Sequence, residues 1–585
     1  STLDAQSSKP VVPMKTKFCP PMLVVASVAL ISACATQPNS QVNADTIYFG
    51  GDIVTINDAQ PSAEAVAVKG GRILAVGKRA DIEASYKGAS TQSVDLVGKT
   101  LLPSFIDPHS HYINSLTVAN QANVFAPPAG PGKDIPAIVA ELKKFRDARK
   151  IPAGELIMAY GYDETVMPGE RKLGRDDLDK DFPNNPVMVL HVSLHGAVLN
   201  SAALKKYGIS AATKTPAGGV IVRKKDSNEP DGLLMETAFL PIFGQLPRPN
   251  AEQELEWSRA GQMLYAAAGI TTAHEGASHA PEVALMQRVA AKGGNIIDVV
   301  SYPFITEIDA VLKANPVSSF GSYKQRFKLG GVKITVDGSP QGKTAYFTTP
   351  YLTGGPGGET NWRGEPTFPE ATVQGMVKKV YDLGLPLNLH ANGDAAIDMF
   401  LKAHETAAAG SLDKERRTTV IHSQFVRRDQ LDKYVQYKII PSLYTEHTYY
   451  FAEAHLKQRG KVQTEFLSPM KTALAKGLRP TNHTDFNVAP IDQMFVVWSA
   501  VNRVSRGGQV IGADERVSPL EALKAITINA AYQYFEERTK GSIEPNKLAD
   551  LVILYRNPLK VPPMDIKDIK VIETIKEGKS IYRAN

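Results

Sequence analysis

His109 and His111 close the apolar run 103–109 in the segment FIDPHSH. In an extended chain residues i and i+2 point the same way, so the two imidazoles can face one ion. An isolated pair of this kind is a weak signal, and other residues at the ends of similar runs strengthen it. His390 ends LNLH (387–390), His422 ends VIH (420–422) and Asp485 ends NHTD (482–485). Four strand-like runs that each end in His or Asp are hard to assign to packing alone. Lys333 lies inside GVKITVD (331–337), an apolar run where a lone lysine is costly to bury. Either it pairs with a carboxylate such as Asp337, or it is carbamylated and becomes an anionic bridge between two metals.

The elements that must position these residues alternate apolar β-runs with helical runs. Eight such β-runs lie at 103–109, 270–274, 297–303, 331–337, 385–390, 418–422, 439–443 and 478–485. That is the count for an α/β fold of the (β/α)8 TIM-barrel type spanning 103–540, whose active site sits at the C-terminal strand ends. Residues 369–383 predict a helix with Val373, Met376, Val377, Val380 and Tyr381 on one face and Gly384 behind it. Ser518 to Glu521 (SPLE) predicts a capping box with proline at the first helical position. Between the first two runs an excursion, 112–268, carries its own helix (135–149) and strands, and reads as an inserted subdomain. The Gly-rich stretch 345–366, with Tyr346, Tyr351 and Trp362, reads as a lid loop or a passive surface loop. The β-rich ends, 46–102 and 541–585, predict a small composite β-sandwich built from both termini.

Composition sets the outer limits. A chain of 585 residues exceeds one compact core, and 43% hydrophobic residues exclude disorder. Two cysteines allow neither a disulfide framework nor a Cys-rich zinc module, and a net charge of +6 without a basic block argues against nucleic-acid partners. Both cysteines fall in an N-terminal segment of leader type. Upstream residues 1–13 precede Met14; Lys15 and Lys17 form a positive region, and MLVVASVALI (22–31) is apolar but too short to span a bilayer. ISAC (31–34) resembles a bacterial lipobox, which implies removal of 1–33, lipidation of Cys34 and a tether over 34–45. The expectation is an exported lipoprotein in the periplasm or at the cell surface, on the membrane only through its lipid.

Seven segments together resemble the amidohydrolase superfamily, in its type 3 group of metal-dependent hydrolases related to N-substituted formamide deformylase. They are LLPSFIDPHSH (101–111), HGAVLNSAAL (195–204), GITTAHE (269–275), GVKITVDGS (331–339), LNLHANGDAAID (387–398), VIHSQ (420–424) and GSIEPNKLADLVIL (541–554). The resemblance implies one or two divalent ions, zinc being the expected metal. His109 and His111 would hold the first and His390 and His422 the second, with carboxylated Lys333 between them. Asp485 would bind the first ion and carry the proton. With Lys333 unmodified, His109, His111, His390 and Asp485 would hold a single ion. A metal lowers the pKa of bound water from about 15.7 towards 7, which supplies hydroxide at neutral pH.

The chain departs from the group's pattern in three places. His483 stands where relatives show a small residue, Ile421 replaces a common glutamate, and Asn546 replaces a glycine in the last motif; Asn tolerates the left-handed region. His195, His274, His447, His483 and Tyr444 are further candidates for substrate contact, as is Glu236. The expected activity is hydrolysis of a C–N bond in an amide, formamide or N-acyl small molecule. A deaminase or a cyclic-amide or ester hydrolase would use the same site with another pocket. A non-catalytic binding lipoprotein would predict degraded ligand positions, and homo-oligomerisation stays open.

Overall fold

Strands that return through a helix lie parallel to one another, so alternating β- and helical runs set up parallel sheets. The computed structural model describes residues 42–118 and 120–585. One parallel sheet orders Phe105–Ile106, Ile270–Ser278, Asp298–Pro303 and Phe327–Leu329. A second orders Val332–Thr335, Leu387–Ala391, Thr419–His422, Ile440–Leu443 and Thr481–Asn482. A bridge between Phe304 and Lys333 joins the two. On the far side Asp485 N donates to His109 O at 3.2 Å and His111 N donates to Phe486 O at 2.8 Å, which sets the exit of the last strand beside that of the first.

The fourth run starts earlier than the sequence suggests. Phe327–Leu329 pairs with Asp298–Pro303, while Val332–Thr335 pairs with Leu387–Ala391, and Gly330 and Gly331 carry the chain between the sheets. A Cβ on Gly331 would lie 2.2 Å from Pro386 O, so only glycine permits this approach. Around the sheets, Glu370–Asp382 buries Val373, Val377 and Val380 and is followed by Gly384 at φ 69°. Ser518 Oγ accepts from Glu521 N at 3.2 Å and Glu521 Oε2 accepts from Ser518 N at 2.8 Å, the reciprocal pair of a capping box.

Both ends of the chain enter one eight-stranded sheet. Its order is Lys579–Arg583, Val571–Lys576, Leu551–Leu554, Thr100–Pro103, Thr46–Val54, Ser62–Lys69 and Arg72–Gly77, with Gln92–Asp95 also against Thr46–Val54. Gln92–Asp95 lies off the main path and is joined to it through Thr46–Val54. Thr46–Val54 changes partner at a bulge between Phe49 and Ile53, pairing first with Gln92–Asp95 and then with Thr100–Pro103. The tether also ends earlier than expected: Ala44 is buried, its N–H donating to Tyr86 O at 2.8 Å, and Asp45 N donates to Val68 O at 2.8 Å. The leader, Cys34 and the remaining tether lie outside the described residues. Among the described residues no helix is long and apolar enough to cross a membrane.

The excursion after the first strand holds a six-stranded sheet ordered Gly219–Arg223, Pro230–Glu236, Gly196–Leu199, Val187–His191, Ile157–Tyr162 and Ala122–Asn123. Its flanking helices, Tyr112–Val118 and Gln253–Ala267, pack on each other and on Ile270–Ser278, so its edges belong to the main body. The stretch 345–366 has no regular element but is well anchored. Tyr346 N and Thr348 N donate to Asp337 and Asp394 at 2.9 Å, and Trp362 packs against the Phe347, Tyr351 and Phe425 cluster.

Candidate metal centre

Parallel strands deliver their C-terminal ends to one place, and the residues that end them meet there. Nε2 of His109 and Nε2 of His111 each lie 3.1 Å from Asp485 Oδ1. That oxygen has no aligned hydrogen bond, so the three atoms face a common point rather than one another. Ligand atoms of His109, His111 and Asp485 all fall within 4.8 Å of one another, a spacing suited to donors around one ion. His422 Nε2 stands 3.8 Å from Asp485 Oδ2, and the His390 and His422 rings are 4.7 Å apart. His390 Nε2 donates to Gly338 O at 3.1 Å, which leaves its Nδ1 as the free ligand atom.

Lys333 is buried in this cluster with no hydrogen-bond partner at Nζ. It does not pair with Asp337. That carboxylate instead accepts from the backbone N–H groups of Asn392 at 2.9 Å and of Gly393 at 2.8 Å, and faces His390 Nε2 at 3.3 Å. An orphaned amine among imidazoles and a carboxylate fits a group that must gain a partner, and the donor set fits a divalent cation.

Burial draws Lys333 down to about 8 against the opposing charges of Asp485 and Glu275. Burial likewise holds His109 and His422 well below the usual imidazole range, with neighbouring cationic groups adding to it, so their lone pairs are free to ligate. Burial alone would raise Asp485, but the close approach of His111 and the charges of His483 and Lys333 keep it low and ionised. His422 (φ 76°), Asp485 (φ 54°) and Glu236 (φ 50°) all adopt left-handed backbone. Each such residue costs about 1–3 kcal/mol, strain that clusters at functional sites.

The six candidates for substrate contact separate clearly. His195 lines the cavity, with Nδ1 2.9 Å from Glu236 Oε2, and Thr344 Oγ1 donates to Glu236 Oε1 at 2.6 Å. Burial opposes a charge on His195, but Glu236 outweighs it and raises the imidazole above its ordinary value. The other four do not line the cavity. His274 lies beneath the centre, its ring 4.9 Å from that of His109 and its Nε2 accepting from Asn388 Nδ2 at 3.1 Å. His483 lies behind His422, Nε2 to Nδ1 at 3.0 Å. His447 turns to His455, Nδ1 to Nε2 at 2.8 Å, and Tyr444 is buried between His447 and His483.

The sequence reading did not single out Glu275, although GITTAHE contains it. This carboxyl lines the cavity, its strand bridges His111, and burial pushes it up to about 7 with His111 opposing. Asp337 was legible only as a partner for Lys333, and Thr344 carried no signal because a lone threonine in a loop has no spacing to read. The cavity encloses about 330 Å³, with apolar walls from Val220, Leu240, Phe243, Phe304, Trp362 and Phe368.

Comparison with known proteins follows the same lines. The model of the amidohydrolase family matches residues 92–582, and that of an imidazolonepropionase-like composite domain of bacteria matches 65–86. N-substituted formamide deformylase of Arthrobacter pascens is 25% identical over 549 residues, covering 92% of this chain and 98% of that protein. The protein LONG AFTER FAR-RED 3 of Arabidopsis thaliana is 28% identical over 562 residues, 93% of each chain. An uncharacterized metal-dependent hydrolase from Pyrococcus horikoshii OT3 superposes with a TM-score of 0.69 at 20% identity, over 92% of this chain and 100% of that one, a likeness of fold. A match that spans the C-terminal strands of the terminal sheet, all eight parallel runs and every clustered candidate ligand places the chain in the amidohydrolase family, as a metal-dependent hydrolase of carbon–nitrogen bonds other than peptide bonds.

Proposed function

We propose that this enzyme hydrolyses the amide, formamide or N-acyl bond of a small molecule, with Asp485 as the proton carrier. The observation that supports it most is the convergence of His109, His111 and Asp485 beside the unpartnered Lys333 Nζ. A divalent ion bound there supplies Lewis acidity towards the carbonyl oxygen and makes water more acidic. The ionised Asp485 carboxylate accepts the proton of the attacking water and hands it to the departing nitrogen, acting as base and then as acid. The His195–Glu236 pair, beside His390 in the cavity lining, orients the substrate.

The cyclic order of the parallel strands is read as a (β/α)8 barrel with the site at its C-terminal mouth. Lys333 is read as N-carboxylated; its carboxylate, with His109, His111, His390 and His422, would hold one or two divalent ions. Zinc is the metal these imidazole and carboxylate donors suit. Export with lipid on Cys34 is proposed on the leader's pattern alone; undiminished lipid incorporation in Cys34→Ala would overturn it.

The test is a panel of N-formyl, N-acyl, cyclic-amide, aminopurine and ester compounds, run beside Asp485→Asn. That variant is expected to retain most of its metal and lose turnover. Full activity in it sinks the proton-carrier role, and turnover confined to aminopurines or esters sinks the amide assignment.

A further inference from the structure

A second cavity adjoins the one at the metal centre. It encloses about 250 Å³ and shares with the first the side chains of Ile113, Asn114, Leu194, Phe243, His279 and Glu282. The two are therefore separated by no more than one layer of side chains. The further wall is largely apolar and comes from several elements. Met158 and Leu190 come from the inserted sheet, Leu246 from the loop that precedes Gln253–Ala267, Trp257 from that helix and Leu285 from Ala280–Ala291. The proposed chemistry does not use this space. Apolar side chains left facing a gap forfeit the contacts a filled core would give them, so an occupant that restores those contacts must itself be apolar.

The charges around both spaces narrow the class further. Among the described residues that line them, the lysines and arginines are Lys333 and Arg248. Lys333 is buried among the metal ligands, and Arg248 stands 3.7 Å from Glu282. Neither is free to hold a substrate carboxylate next to the scissile bond, the His195 imidazole is already paired with Glu236, and Glu282 and Glu365 on the walls would repel one. The apolar face offered by Phe243, Phe304 and Phe368 continues past Phe243 into the second cavity.

We propose that the second cavity is a substrate subsite for an unbranched apolar chain, and that the enzyme's substrates are uncharged amides carrying such a chain. The amide group meets Asp485 while the chain passes Phe243 and lies between Leu246, Trp257 and Leu285. The identity of the reacting group rests on the proposed function; the subsite itself does not.

The experiment titrates the metal-loaded enzyme calorimetrically with N-alkylformamides from ethyl to dodecyl, and follows hydrolysis of the same compounds. Affinity is expected to climb by about fourfold per methylene once the chain reaches past Phe243, and to level off when the cavity is full. Leu246→Trp, which fills the space, and Leu246→Glu, which charges it, should both lower the ratio of long-chain to short-chain affinity, with circular dichroism confirming the fold. Affinity independent of chain length in the unmodified enzyme, or an unchanged ratio in both variants, overturns the subsite. Chain-dependent binding with no hydrolysis supports the subsite and overturns the amide reading. Hydrolysis with no dependence on chain length does the reverse.

Discussion

His483 places Nε2 3.0 Å from Nδ1 of His422, and its own Nδ1 lies 2.9 Å from Ser442 Oγ. With His422 Nε2 turned towards Asp485, the His422 Nδ1–H donates to His483, and the His483 Nδ1–H donates to Ser442. Burial draws His483 down to about 3, so it stays a neutral acceptor and fixes the tautomer that a ligand at His422 needs. Removing this support is expected to lower metal affinity about tenfold to a hundredfold in His483→Ala, with partial retention in His483→Gln, whose amide oxygen can accept. Competition against a chromophoric chelator reads this, and equal affinity in both variants would show that His483 only fills space.

Lys333→Ala should release metal and abolish turnover if Lys333 carries the proposed carboxylate, because that anion goes with the side chain. Propionate or another short carboxylic acid is expected to restore part of both. Full metal content in the variant would favour a single ion held by His109, His111, His390 and Asp485.

Gly276 lies against the His109 ring. A Cβ there would come within 2.4 Å of Cε1 and 2.8 Å of Nδ1. Gly276→Ala must push the imidazole off its position, at a cost of about 1–3 kcal/mol for overpacking. Weaker metal binding together with a lower melting temperature is the expected pattern; a variant unchanged in both would mean the ring yields freely.

Asp298 ties the terminal sheet to the parallel one. It accepts from Lys540 Nζ at 2.6 Å and lies 2.9 Å from Lys576 Nζ, all three groups being buried. Asp298→Asn leaves the buried Lys540 only its more distant Glu536, at 3.4 Å, and about 3–5 kcal/mol of stability should be lost in denaturant unfolding. Lys576 retains Asp550 at 2.8 Å, so a loss near the lower figure is expected.

A pH effect is expected in the inserted sheet. Burial would lower His191, but Glu164, 2.7 Å from its Nε2, outweighs that and raises it; the same contact holds Glu164 low against burial. The His191 contribution is fully present below about pH 6.5 and fades as pH rises through the raised value. The Glu164 contribution is present above about pH 4.5 and fades as pH falls through the lowered value. Glu164→Gln should therefore flatten the loss of thermal stability between mildly acidic and mildly alkaline pH. An unaltered slope would assign that loss elsewhere.

Much of this was readable in the chain because local rules govern it. The spacing of His109 and His111, the helix before Gly384, the Ser518 capping box and the left-handed turn at Asn546, observed at φ 73°, depend on residues near one another in sequence. Positions that answer to distant partners were not readable. Asp337 looked like a counter-ion for Lys333, two turns of a strand away, yet it clamps backbone from the loop at Tyr346 and the strand end at Asn392. His274, His447 and Tyr444 looked like mouth residues because they follow apolar runs, and which side of the sheet they face is set by packing.

By itself the sequence determined which residue types end which strands, and hence that imidazoles and a carboxylate could reach one ion. Only the tertiary structure decided which of the other histidines touch the cavity, that Lys333 Nζ has no hydrogen-bond partner, and that a second apolar space opens beside the first. The physical reason is that strand periodicity is a local property of the chain. Partnership, burial and empty volume arise only when elements hundreds of residues apart are packed together.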